Sequence, residues 1–296
     1  METIEDLKRR ITSTEDLKSV VRTMKALAAV KIRQFEKAVE ALEDYHRTIE
    51  MGLQAVLRNR ADISIGARAG SKNLVGAVVF GSDQGMCGQI NDQIQSHAMT
   101  EMNQLPDVEK ENRFVVAVGQ RVYTRMQEEG QKVEAYVQVP GSVTGIIPKV
   151  HSLLSHIDSW QQERSVEQIF LYYNRQVSAS RYEPYTVHLL PVDKQWLERI
   201  GERKWPGKSI PLFTMDWDPL FSALIRQYLF VSLHRAFAES LASENASRLT
   251  SMQGAEKNIS EQLESLLSRF HQQRQMAITG ELLDILAGFE VLGGDY

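Results

Sequence analysis

LVGAVVFGSDQGMCGQIN, residues 74–91, decides how the middle of this chain is read. Residues 74–80 are a short apolar run rich in valine, bounded on its far side by turn residues, which predicts a buried strand. Gly81, Ser82, Asp83 and Gly85 make the turn, and a polar segment with helical character follows. A glycine-rich turn between a strand and a helix is where α/β proteins often hold a phosphate. A Walker loop needs Lys and Ser/Thr directly after its last glycine, but Gly88 is followed by Gln89 and Ile90. The dinucleotide fingerprint is GxGxxG, whereas Gly81, Gly85 and Gly88 are spaced GxxxGxxG. Neither phosphate template fits, so the glycines read as tight-turn residues. Cys87, the single cysteine, has no histidine beside it in sequence and reads as a small buried thiol rather than a nucleophile.

Working outward, RFVVAV (113–118), VEQIFLYYN (166–174) and YTVHLLPV (185–192) are further strand-like runs. Helical stretches at about 88–105 and 142–160 alternate with them. That alternation predicts βαβ units and a mostly parallel sheet, a Rossmann-like α/β middle domain over 74–200. Segments 59–73 and 201–211, rich in Gly, Pro and charge, read as linkers.

The two ends of the chain have a different period. Val20 or Val21, Met24, Ala28, Ile32, Phe35, Val39, Leu42, His46, Ile49, Leu53 and Leu57 step by threes and fours, and no proline occurs before residue 106. Such steps lay one stripe along a helix, and residues 17–58 alone would extend roughly 60 Å. After KWPGKSIPLF, Asp218 reads as an N-cap with Pro219 at the first helical position. From there Met252, Ala255, Ile259, Leu263, Leu266, Phe270, Arg274, Ile278, Leu282 and Ile285 hold a second stripe. From Pro219 to Leu286 that helix would run about 100 Å if unbroken. Periodicity this long predicts a coiled coil, with the 1–58 and 212–292 helices paired antiparallel. The alternative is that both stripes cover the middle domain as ordinary core helices.

The composition excludes several functions. A net charge of −4 argues against free nucleic acid as the main partner. One cysteine excludes an internal disulfide framework and any multi-cysteine metal site. Apolar residues make up 43% of the chain, enough for a sizeable core, yet no run of about 18 apolar residues spans a membrane. The acidic start METIEDLKRR resembles neither a signal nor a transit peptide. His151 and His156 are five apart and do not share a helix face, and Asp216 and Asp218 are explained by capping. No catalytic constellation, cofactor site or metal site emerges.

Two oddities lie on the helices. Arg274 falls on the apolar stripe, either snorkelling at the edge of a seam or marking where the partner helix has ended and another protein begins. Lys18, Arg22, Lys25, Lys31 and Arg33 are either a solvated face or a basic collar facing an acidic partner.

Four stretches in order resemble the γ subunit of F-type ATP synthases. ITSTEDLKSVVRTMKALAAVKIR (11–33) is similar to that family's N-terminal helix, and SDQGMCGQIN (82–91) to its SDxGLCGxxN marker. ESLASENASRLTSMQGAEKN (239–258) and RQMAITGELLDILAGFEVL (274–292) resemble its two C-terminal motifs. The resemblance implies an antiparallel coiled-coil shaft inside a hexamer of three α and three β subunits. It also implies a foot domain resting, with the ε subunit, on the membrane c-ring, and a peripheral place on the cytoplasmic face of a bacterial inner membrane. Nucleotide would be bound and turned over on β, and the chain would bind no cofactor and be no enzyme by itself. Shaft rotation would couple ion flow to ATP synthesis or hydrolysis.

By motif match, Arg274, Gln275 and Thr279 would touch the catch loops of α and β. Met24, Lys25 and Lys31, with Glu244 and Arg248, would sit at the lever region of β. Gly81, Ser82, Asp83, Gly85, Cys87 and Gly88 would be a structural turn of the foot. Departures at Ser19–Val21, His271, Gly280, Asp284, Phe289 and Leu249 suggest a divergent branch, with an ATP-driven ion pump as the alternative direction. A nucleotide-binding enzyme built on the 81–88 loop and a passive coiled-coil scaffold are the competing classes.

Overall fold

A computed structural model describes residues 3–58, 74–178, 181–205, 207–209 and 212–293. The expected linker 59–73 lies outside the described residues, as do 206, 210 and 211 of the second linker. The chain divides into two compact units, Met1–Leu27 with Leu249–Tyr296, and Ala28–Arg248. Two long helices, α1 (Ile4–Leu57) and α6 (Trp217–Gly293), contribute residues to each.

Helix α1 opens with a reciprocal cap. The Asp6 backbone N–H donates to Thr3 Oγ1 (3.1 Å), and the Thr3 hydroxyl donates to the Asp6 carboxylate (2.7 Å). This is the capping-box arrangement with aspartate at the third helical position. In the first unit Val21, Met252 and Ile259 are buried together, with Met24 and Ala255 packed beside them. Arg22 Nε donates to Glu256 Oε1 (2.8 Å), and Lys25 donates to the other carboxylate oxygen. Those two bonds, Lys25's first, hold the Glu256 carboxyl down at about 2. Leu266 is the last described residue of α6 that is buried.

The second unit is built on five strands: β1 (Val75–Phe80), β2 (Arg113–Val118), β3 (Ala135–Val137), β4 (Gln168–Ser178) and β5 (Arg181–Leu190). Their order is β3-β2-β1-β4-β5. Val75 registers with Arg113 on one side and Gln168 on the other, both parallel, while β5 runs antiparallel to β4. The sheet is thus mostly parallel, as its sequence suggests. Every residue of β1 is buried, because both faces of the sheet are covered.

On one face Val78, Phe80, Val116, Val118, Leu171 and Tyr173 pack against α4 (Ile146–Arg164), against Phe35 and Leu53 of α1, and against Leu233, Phe237 and Leu241 of α6. On the other face Ala77, Val79, Val115, Ala117 and Tyr172 pack against α2 (Ile90–Gln104) and α3 (Gln120–Glu128). Phe80 meets Phe237 edge-on at 5.0 Å between ring centroids. Gly76 is required by a close approach, since a Cβ there would lie 2.7 Å from Trp160 Cε3.

Within this unit α1 and α6 run antiparallel. Trp217 Nε1 donates to Val56 O (3.1 Å), Leu224 lies against Gly52, and Tyr45 donates to Gln227 (2.9 Å). Partner numbers rise along α6 as they fall along α1. The long helices therefore pack on each other, and Phe35 and Leu53 of the first stripe also cover one face of the sheet, whereas α6 covers it with Leu233, Phe237 and Leu241, which precede the second stripe.

Three elements were not expected from sequence: β3, α3 and α5 (Lys194–Glu202). Helix α3 is largely polar, but Val122 and Met126, four apart and both buried, pack with Tyr123 onto the sheet's face. The start of α6 also differs from expectation. Leu220 N donates to Asp216 O, so Asp216 rather than Asp218 is the capping residue. Pro219 then falls third in the helix, where an N–H would have had no intrahelical partner.

Candidate functional site

The turn after β1 is closed by its own hydrogen bonds. Ser82 N donates to Asn91 Oδ1 (2.9 Å), Asn91 Nδ2 donates to Ser82 Oγ (2.8 Å), and the Ser82 hydroxyl donates to Gln84 O (2.8 Å). Cys87 Sγ lies 3.4 Å from Ser82 Oγ and is buried. Burial pushes its thiol pKa up, which leaves little thiolate for nucleophilic work.

Asp83 completes the closure. Its Oδ1 accepts from Gln120 N (2.9 Å) and the Tyr136 hydroxyl (2.7 Å), and its Oδ2 accepts from Val139 N (2.9 Å). Gln120 N is the first N–H of α3, a place where a helix ordinarily offers itself to an anion. The chain's own carboxylate occupies it. Loss of solvation, then the hydrogen bond to Asp83 and its charge, raise the Tyr136 pKa to about 12, so the phenol remains a donor. Gly119 sits at φ 105° with Ser82 N 2.7 Å from where a Cβ would be, which requires glycine there.

The crevice beyond the strands is filled as well. The chain leaves β1 toward β2 on one side, while β4 adds on the other, so the order reverses at the β1/β4 pair. Open α/β sheets bind ligands outside the carboxyl ends of the strands at that reversal. Here α6 lies in that place. Ser243 Oγ donates to Asn174 O (2.9 Å), two residues past the β4 residue that registers with Val79. Ser247 Oγ donates to Cys87 O (2.5 Å), with the Tyr182 hydroxyl oxygen 3.3 Å away. Ser243, Ser247 and Asn174 are all buried.

Beside these serines, Arg248 donates to Glu244 Oε1 (2.7 Å) along one helix turn. Only 7% of Glu244 and 8% of Arg248 is exposed. Burial pushes the Glu244 pKa up, against the opposing pull of Arg248 and then of Lys31. The sequence-derived residues therefore form distinct groups. Lys31, Glu244, Arg248 and the 81–88 turn belong to the second unit, where Glu244 and Arg248 face each other. Met24 and Lys25 belong to the first unit, half-buried, together with exposed Arg274, Gln275 and Thr279.

Ser243, Ser247, Asn91 and Asn174 were missed in sequence. The signal available was the polar run SENAS (243–247) inside a long helix, with nothing to show that it is buried. No group of three or more His, Cys, Asp or Glu able to hold a metal occurs among the described residues, and no helix there is long and apolar enough to cross a membrane.

The fold is of a class in which two long paired helices are joined to an α/β domain, with one of those helices seated in the domain's ligand crevice. Over residues 3–292 the chain matches the family described as ATP synthase and belongs to it, as a homologue of the γ chain, the rotor of the central stalk. It is 28% identical over 294 residues to the ATP synthase gamma chain of Heliobacterium modesticaldum, covering 97% of this chain and 98% of that one. The gamma chain of Clostridium botulinum (strain Kyoto / Type A2) is 27% identical over 287 residues, covering 96% of each. Among solved structures, the fold is similar to a chain of the Euglena gracilis mitochondrial ATP synthase rotor, with a TM-score of 0.61 at 16% identity, covering 93% of this chain and 98% of that one. A central-stalk/c-ring chain of Tetrahymena thermophila mitochondrial ATP synthase gives 0.59 at 20% identity, covering 80% and 99%.

Proposed function

We propose that this chain turns inside a ring of three α and three β subunits and couples ion flow through a membrane c-ring to ATP synthesis or hydrolysis on β. One observation carries it: Ile278, Leu282, Ile285 and Leu286, spaced three and four residues apart and so on one helix face, are each about half exposed or more on the far part of α6. Isolated exposed apolar residues are ordinary, but a continuous row of this kind marks a surface that another protein covers. In this reading residues 1–58 and 212–292 form a coiled-coil shaft and 74–200 a Rossmann-like foot that rests, with ε, on the c-ring. The assembly lies peripherally on the cytoplasmic face of a bacterial inner membrane.

Arg274, Gln275 and Thr279, all exposed, would contact the α and β loops around the shaft. Met24, Lys25 and Lys31, with Glu244 and Arg248, would sit at the lever region of β. Each shaft orientation then favours a different β conformation, which is what a coupling of rotation to nucleotide affinity requires. Co-purification with α and β, followed by native mass and ATP turnover, tests this. One copy per three α and three β, active as a complex and inert alone, supports the reading. A chain that stays apart from α and β, or that cleaves ATP by itself, overturns it.

A further inference from the structure

Helix α6 is buried nearly all round from Val231 to Arg248, yet after Leu241 its buried residues are largely polar. Polar groups are costly to bury without partners, so the partners decide what the segment is for. Ser232 bonds back to Tyr228 O of its own helix (2.8 Å) and ties α6 to nothing else. Ser243 and Ser247 instead reach out of the helix, to Asn174 O within β4 and to Cys87 O in the turn after β1. Both acceptors are themselves held. Asn174 Nδ2 donates to Ile90 O (3.4 Å), and Cys87 sits in the Ser82–Asn91 network.

Apolar packing is non-directional and would tolerate a helix turning or sliding slightly against the sheet. Hydrogen bonds have a narrow range of length and angle. Two of them, four residues apart on one helix face and anchored on different parts of the α/β domain, β4 and the turn after β1, fix both the rotation and the axial position of α6. We infer that Ser243 and Ser247 are positioning residues that lock α6 in register on the α/β domain, so that torque passes between helix and sheet without slip. The inference rests on the rotor reading above and names the contact in this chain that transmits the twist.

The test uses the assembled, membrane-reconstituted complex carrying Ser243→Ala with Ser247→Ala, each single variant, and Ser232→Ala as control. ATP-driven ion pumping and ATP hydrolysis are measured on the same preparation. The ratio of pumping to hydrolysis is expected to fall by about fivefold in each single variant, the effect on a conformational equilibrium of losing one ordinary buried hydrogen bond, and further in the double variant. Ser232→Ala is expected to keep the wild-type ratio. A merely structural role would lower the two activities together. Proportional loss, an unchanged ratio, or an equal effect of Ser232→Ala overturns the lock. Should the double variant not assemble, the single variants are scored in the same way. The rotor reading fails separately, if complexes lacking this chain still pump on ATP.

Discussion

Arg248→Ala tests the buried ion pair most directly. Arg248 and Glu244 are 2.7 Å apart and both more than nine-tenths buried. Removing the guanidinium leaves a buried carboxylate without its main compensating charge, which costs about 3–5 kcal/mol. The pH dependence identifies the cause. Burial already raises the Glu244 pKa above the ordinary 4.5 despite Arg248, so the native state binds the extra proton between 4.5 and that raised value. A native state that binds more protons loses stability as pH rises through this window. Without Arg248 the pKa rises further, at ~1.4 kcal/mol for each unit, so the deficit of the variant is larger at pH 8 than at pH 5. Adding Glu244→Gln removes the titrating group. The double variant is therefore expected to regain ~1 kcal/mol or more at pH 8 and to lose the extra pH dependence. Urea denaturation of the full chain, followed by helical circular dichroism at both pH values, measures this. A cost below ~1 kcal/mol at pH 8, or the same cost at pH 5 and pH 8, would refute the account of a buried charge held by Arg248.

Further outcomes follow from other contacts. Phe80→Ala, which empties the site packed edge-on against Phe237, is expected to cost about 3–5 kcal/mol in the same denaturation assay. Gly76→Ala forces a methyl against the Trp160 ring and is expected to cost about 1–3 kcal/mol; a neutral result would mean that α4 shifts freely. The Glu256 carboxyl, held at about 2 by Lys25 and Arg22, contributes stability that is full above 4.5 and is lost as pH falls toward 2. Glu256→Gln should therefore flatten the acid side of the stability profile, and a carbon-13 carboxyl titration with a midpoint near 4.5 would contradict this. Replacing Leu282, Leu283, Ile285 and Leu286 with serine should change the isolated chain's stability by less than about 0.5 kcal/mol per site, because all four are exposed. Association with α and β, followed by native mass, should weaken markedly; unchanged association would count against the covered-stripe reading.

Much of the architecture is written locally. The three-and-four spacing from Val21 to Leu57 and from Met252 to Ile285 specifies long helices because each stripe residue needs only its neighbours in the same helix to fall on one face. Valine-rich runs such as 75–80 specify buried strands in the same way, and the missing Lys-Ser/Thr after Gly88 argues against a Walker site without any structure. Short elements were less legible. Strand β3 has three residues and α3 rests on Val122 and Met126, too few positions for a period to appear.

The sequence by itself therefore determined the long helices, the α/β middle and the lack of a phosphate template, since these depend on chemistry a few residues apart. Tertiary structure decided what the polar residues do. Ser243 finds its acceptor 69 residues away and Ser247 finds one 160 residues away, and Asp83 takes donors 37 to 56 residues further along. A serine in a helix reads alike whether it faces water or a buried carbonyl. Only the folded sheet brings those carbonyls to α6, and only there does a crevice suited to a ligand become the seat of a helix.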